Sequence, residues 1–181
     1  MREAEPVEAG LFVQAEQMLV EVLGRVRPAD RDVMLPPLPP EAPQTMTMAQ
    51  AVERQVRDDT ALATGLGGAP PEPGSGVPGA ARAACAAVRA ASGTDPAVRD
   101  ELLRAVVARS LLAHYVAAYL GSTACPLPEE LARPLWELTA PDAERWRALG
   151  HFRDPLPLPP HVSWRDRFLL TAGHPAHPLG H

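Results

Sequence analysis

Residues 95–121 read DPAVRDELLRAVVARSLLAHYVAAYLG, and this stretch decides the fold. Asp95 can accept from the first free amides of a helix, and Pro96 suits its first position because its ring presets φ and its missing N–H costs nothing there. Gly121 offers the left-handed stop. About 25 residues at 1.5 Å each make a rod of roughly 37 Å, enough to run the length of a small domain. Leu103, Val106, Val107, Leu111, Ala117 and Ala118 recur at helical spacing and form its apolar stripe. Ser110 and His114 fall on that same stripe, and His114 is the first histidine in the chain. A titratable ring where core is expected marks a candidate site.

Working outward, three more helices are expected. Residues 7–26 carry Leu11, Ala15, Met18, Val22 and Val26 at spacings of three and four, with Glu8, Gln14, Glu21 and Arg25 largely on the other side. Arg27-Pro28 closes that helix. Residues 32–44, DVMLPPLPPEAPQ, hold five prolines and are expected as an extended surface crossover. Thr47 reads as the N-cap of a helix over 48–66, stopped by Gly67-Gly68. Its stripe is Met48, Val52, Val56, Leu62 and Leu66, with Gln55 and Asp59 on or beside it. Residues 69–76, APPEPGSG, form a loop. An alanine-rich helix over 78–91 faces inward through Val77, Ala81, Ala84, Val88 and Ala91. Beyond Gly121 the spacing predicts shorter helices around residues 128–138, 141–149 and 164–171, and a frayed tail over 174–181. No strand alternation is found, so the expectation is an all-α chain. Residues 1–173 form one domain, a four-helix bundle with short additional C-terminal helices.

Composition bounds the function. All 17 basic residues are arginine and the formal net charge is −5, with no basic run; nucleic-acid binding, which needs clustered positive charge, is not expected. No stretch approaches eighteen apolar residues, so no membrane span is expected. The N-terminal MREAEPVEAG lacks a basic region followed by an apolar one, so no secretory signal is read there. Cys85 and Cys125 are far apart and read as reduced thiols of a cytoplasmic protein. Cys85 is expected buried and inert, Cys125 exposed. His151 and His161 read as surface-loop residues, and His174, His177 and His181 as tail residues.

The stretches LFVQAEQMLVEVLGRVRP, VARSLLAHYVAAYLG, LPEELARPLWELTAPDAERWRALGHF and PPHVSWRDRFLLTAGHP resemble the DinB/YfiT-like superfamily. Within it, they are most similar to the actinobacterial branch of metal-binding, mycothiol-dependent maleylpyruvate-isomerase-like proteins. The Trp136 and Trp146 segment and the SWRDRFL ending carry the more specific part of the likeness; the middle, 36–91, matches weakly. The resemblance implies a four-helix bundle with a pocket at its metal-bearing end. It also implies a divalent ion held by histidines of the second and fourth helices, completed by water or a thiol. His114 matches the fourth-helix histidine. The second-helix histidine is missing: AVERQVRDD puts Arg54 or Gln55 in its place. Ser110 and Tyr115 stand where some members carry an acid.

A catalytic zinc site normally draws three protein ligands from His, Cys, Asp and Glu. One histidine with Asp58 or Asp59 makes at most a weak site, so no tightly bound divalent metal is expected. The resemblance then implies a small-molecule enzyme related to thiol-dependent isomerases and transferases, with mycothiol or another low-molecular-weight thiol as cofactor. His114 is the candidate general base, since an imidazole titrates near neutrality. Arg54, Gln55, Asp59, Ser110 and Tyr115 are candidate substrate-binding groups, with Arg54 the anion contact. Ser110 lies one turn from His114 on the same face, whereas Tyr115 is about 100° around the helix. The rival reading is a protein of the same fold that binds or sequesters a small molecule without turning it over; a third is a scaffold that dimerises through helix faces.

Overall fold

The computed structural model describes residues 7–35, 46–91 and 95–120, together with Arg133. Four helices dominate: α1 (Val7–Leu23), α2 (Met48–Gly65), α3 (Gly76–Ala90) and α4 (Pro96–Tyr119). They pack as a bundle in which α1 lies against α4 and α3, and α2 against α3. The fold is mainly α, as expected. The short helices and tail expected beyond Gly121, the Trp136 and Trp146 segment, Cys125 and the late histidines lie outside the described residues.

The helix ends follow from their sequences. Ala97 N–H donates to Asp95 Oδ1 at 2.9 Å. Thr47 and Gln50 form a reciprocal capping box, Gln50 N–H to Thr47 Oγ1 at 3.2 Å and Thr47 N–H to Gln50 Oε1 at 2.9 Å. At the other end of α2, Gly67 N–H donates to Thr64 O and Gly68 N–H to Ala63 O, with Gly67 at φ +82°. This is a Schellman stop, and the left-handed angle is why a glycine stands there. Helix α1 ends at Leu23, three residues short of the expected limit.

The crossover after α1 contains structure that the sequence did not announce. A 3-10 turn, Pro28–Asp30, is held by Arg27 N–H donating to the buried Asp30 carboxylate at 2.9 Å. Two short strands then pair antiparallel, β1 (Met34–Leu35) and β2 (Met46–Thr47), with Met34 opposite Thr47 and Leu35 opposite Met46. A two-residue ladder is too short to show alternation, so periodicity could not reveal it. It matters to α2, whose first amides donate into this segment: Met48 N–H to Val33 O at 2.8 Å and Ala49 N–H to Arg31 O at 3.1 Å.

Chain directions follow from long-range pairs. Glu8 pairs with Arg99 and Glu16 with Arg109, so α1 and α4 run parallel. The first turns of α2 meet the 108–112 region of α4 around a small pocket, so these two helices are antiparallel. Gly68, just past the end of α2, sits against Ala87 near the end of α3, so α2 and α3 run together. The order is up, down, down, up. It obliges residues 66–75 to return along the bundle, which an extended chain of that length, reaching about 33 Å, can do.

Burial corrects two sequence expectations. Glu8 was placed on the outer side of α1; it is 5% exposed and accepts from Arg99 Nε at 2.8 Å and Nη2 at 2.6 Å. On α2, the apolar stripe does not coincide with the buried face. Val52, Val56, Leu62 and Leu66 are half-buried, while Met48, Ala51, Gln55, Asp59 and Ala63 are buried. The helix is rolled so that two polar residues occupy the middle of its inner face. The cause lies on α4.

Candidate functional site

Arg109 reaches from α4 into the bundle interior and is 5% exposed. Its Nη2 donates to Asp59 Oδ1 of α2 at 2.6 Å, its Nε donates to Glu16 Oε2 of α1, and its Nη1 donates to Ala105 O at 3.1 Å. The guanidinium carbon lies 4.9 Å from the centroid of the Phe12 ring. A planar, delocalised cation with five donors is the side chain suited to this, since it can serve two carboxylates and a carbonyl while stacking on an aromatic face. Glu16 and Asp59 are 1% and 0% exposed. One residue from each of three helices thus meets at a single guanidinium.

The charges do not balance. Two ionised carboxylates and one guanidinium sum to −1 in an interior where an uncompensated charge is costly. The Glu16 carboxyl responds by holding its proton: its pKa is pushed from 4.5 to about 8, chiefly by burial and then by the neighbouring Asp59 carboxylate, against the pull of Arg109. For Arg109 itself, burial opposes the charge and the two carboxylates outweigh it, so its pKa is raised. Cys85 on α3 feels the cluster too. Burial and then the Glu16 charge push its thiol up to about 11, against Arg89. It is a protonated thiol at neutral pH and a poor nucleophile.

Two clefts flank the cluster. One, of about 560 Å³, runs between α2 and α4 past Arg54, Asp58, Leu62, Val98 and Arg104 and includes Arg109. The other, of about 570 Å³, runs between α1 and α3 past Val13, Ala81 and Cys85 and includes Glu16. Both are in the size range of small-molecule sites. A pocket of about 30 Å³ beside the first is lined by Gln55, Asp58 and Arg109. Gln55 Nε2 is buried with no hydrogen-bond partner, and a pocket of that size is about one water in volume.

The candidate residues read from the sequence are placed as follows. Gln55 and Asp59 are buried one turn apart on α2. Arg54 lies 3.4 Å from Asp58 at the mouth of the α2–α4 cleft. Ser110 is fully buried, and its hydroxyl donates to Val106 O of its own helix at 2.8 Å. His114 is half-buried and meets Tyr115 edge-on at 5.8 Å between ring centroids. His114 lines neither cleft. Among the described residues, no group of three or more His, Cys, Asp and Glu is arranged to hold a metal ion.

Sequence reasoning missed Glu16 and Arg109, although a signal was present. Glu16 has Phe12, Val13, Leu19 and Val20 at three and four residues on either side, and Arg109 has Ala105, Val106, Leu112 and Ala113. A charged residue whose helical neighbours are all apolar sits at the centre of a buried face. Two such residues of opposite sign, on different helices, are natural partners.

No protein-family model, curated protein or solved structure matches this chain.

Proposed function

We propose that this chain binds a small anionic molecule in the α2–α4 cleft, as a DinB/YfiT-like bundle related to the cytoplasmic thiol-dependent isomerases and transferases. The observation that carries the reading is the cleft itself. It places Arg54, paired with Asp58, and Arg104, paired with Glu101, among the apolar side chains of Leu62, Leu66 and Val98, beside the buried Arg109. Apolar walls supply affinity, and a few placed cations select an anion and orient it.

The residues present do not suit a tight divalent ion. The two α2 acids weighed as ligands are both engaged by guanidinium groups, Asp59 by Arg109 at 2.6 Å and Asp58 by Arg54 at 3.4 Å. A cation already occupies the role a metal would take between helices. Nor is there a ready protein nucleophile among the described residues near the cluster: the Ser110 hydroxyl is tied to its own helix and the Cys85 thiol is held protonated. A thiol-addition reaction here therefore uses a low-molecular-weight thiol brought in from solution, and the base expected from the sequence, His114, lies outside the cleft. The same features suit the second reading, binding without turnover, since Ser110 is not poised to act.

A thermal-shift and calorimetric screen of mycothiol, other small thiols and small dicarboxylates tests this. Ligands that raise the melting temperature should lose at least tenfold in affinity in Arg54→Ala, and in Leu62→Trp, which fills the cleft. Binding left intact in both variants removes the cleft from the proposal. Product formation from a thiol and an unsaturated dicarboxylate separates enzyme from binder.

A further inference from the structure

Glu16 and Asp59 each keep one buried carboxylate oxygen without a hydrogen-bond partner, Glu16 Oε1 and Asp59 Oδ2. Their other oxygens accept from the same guanidinium. Two carboxylates clamped on one planar group are held close, and neither free oxygen can donate while both are ionised. A single proton satisfies both, because a protonated carboxyl donates to its ionised neighbour, as in carboxyl dyads where like charges cannot both ionise.

We propose that Glu16 and Asp59 form a buried proton-binding site that holds one shared proton at neutral pH, donated from Glu16 Oε1 to Asp59 Oδ2. The elements packed around it bear this out. Helix α1 supplies Glu16, α2 supplies Asp59, α4 supplies Arg109, and α3 supplies Cys85, a neutral thiol with Arg89 nearby. With the proton, the cluster sums to zero; without it, to −1. The site therefore sets the charge beneath both clefts, since Arg109 lines one and Glu16 the other. This proton site stands on the cluster's geometry and does not depend on which ligand the α2–α4 cleft takes.

The sign of the linkage is definite. The folded chain holds the proton to a higher pH than the unfolded chain, from 4.5 up to about 8. Stability from this group is therefore fully present below the unfolded value and is lost as pH rises through the folded one. Direct titration tests the site: carboxyl carbons of Glu and Asp are labelled in the full chain and followed by NMR from about pH 5 to pH 9.5, with Glu16 assigned by through-bond correlation. We expect the Glu16 midpoint near 8, and a fall of more than about one pH unit in Asp59→Asn, which leaves Glu16 as Arg109's only carboxylate. In parallel, the urea midpoint of the wild type should fall across this range relative to Glu16→Gln, whose amide keeps a donor towards Asp59 and cannot titrate; histidine titrations cancel in that difference. A Glu16 midpoint below about 5.5, or one that Asp59→Asn leaves unmoved, overturns the proposal. If Glu16→Gln does not fold, the wild-type and Asp59→Asn titrations decide it.

Discussion

Glu16 and Arg109 stand 93 positions apart in the chain and share a hydrogen bond in the interior of the bundle. That bond ties the first helix to the last, and Arg109's second carboxylate partner, Asp59, ties in α2. The cluster explains why α2 turns polar residues inward: Asp59 must reach the guanidinium, and Gln55, one turn before it, is carried inward on the same face.

Removing the cation should be far more harmful than removing the whole cluster. Arg109→Met leaves two buried carboxyl groups without their counter-charge, and we expect a loss of about 3–5 kcal/mol in chemical denaturation at neutral pH. Arg109→Lys should recover only part, since an ammonium cannot form the same fork. Combining Arg109→Met with Glu16→Gln and Asp59→Asn should recover most of the loss. A single Arg109→Met variant as stable as the wild type contradicts a structural role for the cluster.

Cys85 should react slowly and with a late pH dependence. In a Cys125→Ser background, its alkylation rate should keep climbing with pH through the range where an ordinary thiol, with a pKa of about 8.5, has levelled off. The inflection is expected near 11, because burial and the Glu16 charge both oppose the thiolate. Glu16→Gln removes that charge and should bring the inflection down. A plateau below about pH 9 would mean that the thiol is not held as described.

The contact between the ends of α2 and α3 should tolerate nothing larger than glycine. A Cβ on Gly68 meets the Ala87 Cβ at 2.8 Å and the Ala63 carbonyl oxygen at 3.0 Å. Gly68→Ala should cost about 1–3 kcal/mol by overpacking. Adding Ala87→Gly should recover part of it, and a double-mutant cycle reads the coupling directly. Additive losses would place the two residues apart.

Much of the helical framework was legible locally. The Thr47 N-cap, the Asp95 cap and the Gly67 stop each depend on residues within a few positions of one another, and each formed where the sequence placed it. The inner stripe of α4 was legible for the same reason: Leu103, Val106, Val107, Leu111 and Ala117 are all buried. On α2 the same reasoning put the stripe on the wrong flank. Periodicity measures where apolar side chains lie, and it has no access to the partner that draws Asp59 inward.

What the sequence determined by itself was therefore the four main helices, the caps at Thr47 and Asp95, the stop at Gly67 and most of the faces that avoid water, because backbone capping and hydrophobic spacing act over one or two turns. Only the tertiary structure decided which charges meet. Glu16, Asp59 and Arg109 are scattered over almost the whole described chain. Nothing within a few residues of any one distinguishes a solvated ion from a buried one, except an apolar neighbourhood. Their burial becomes tolerable when α1, α2 and α4 bring opposite charges into hydrogen-bond range, and that is set by how the helices run and pack.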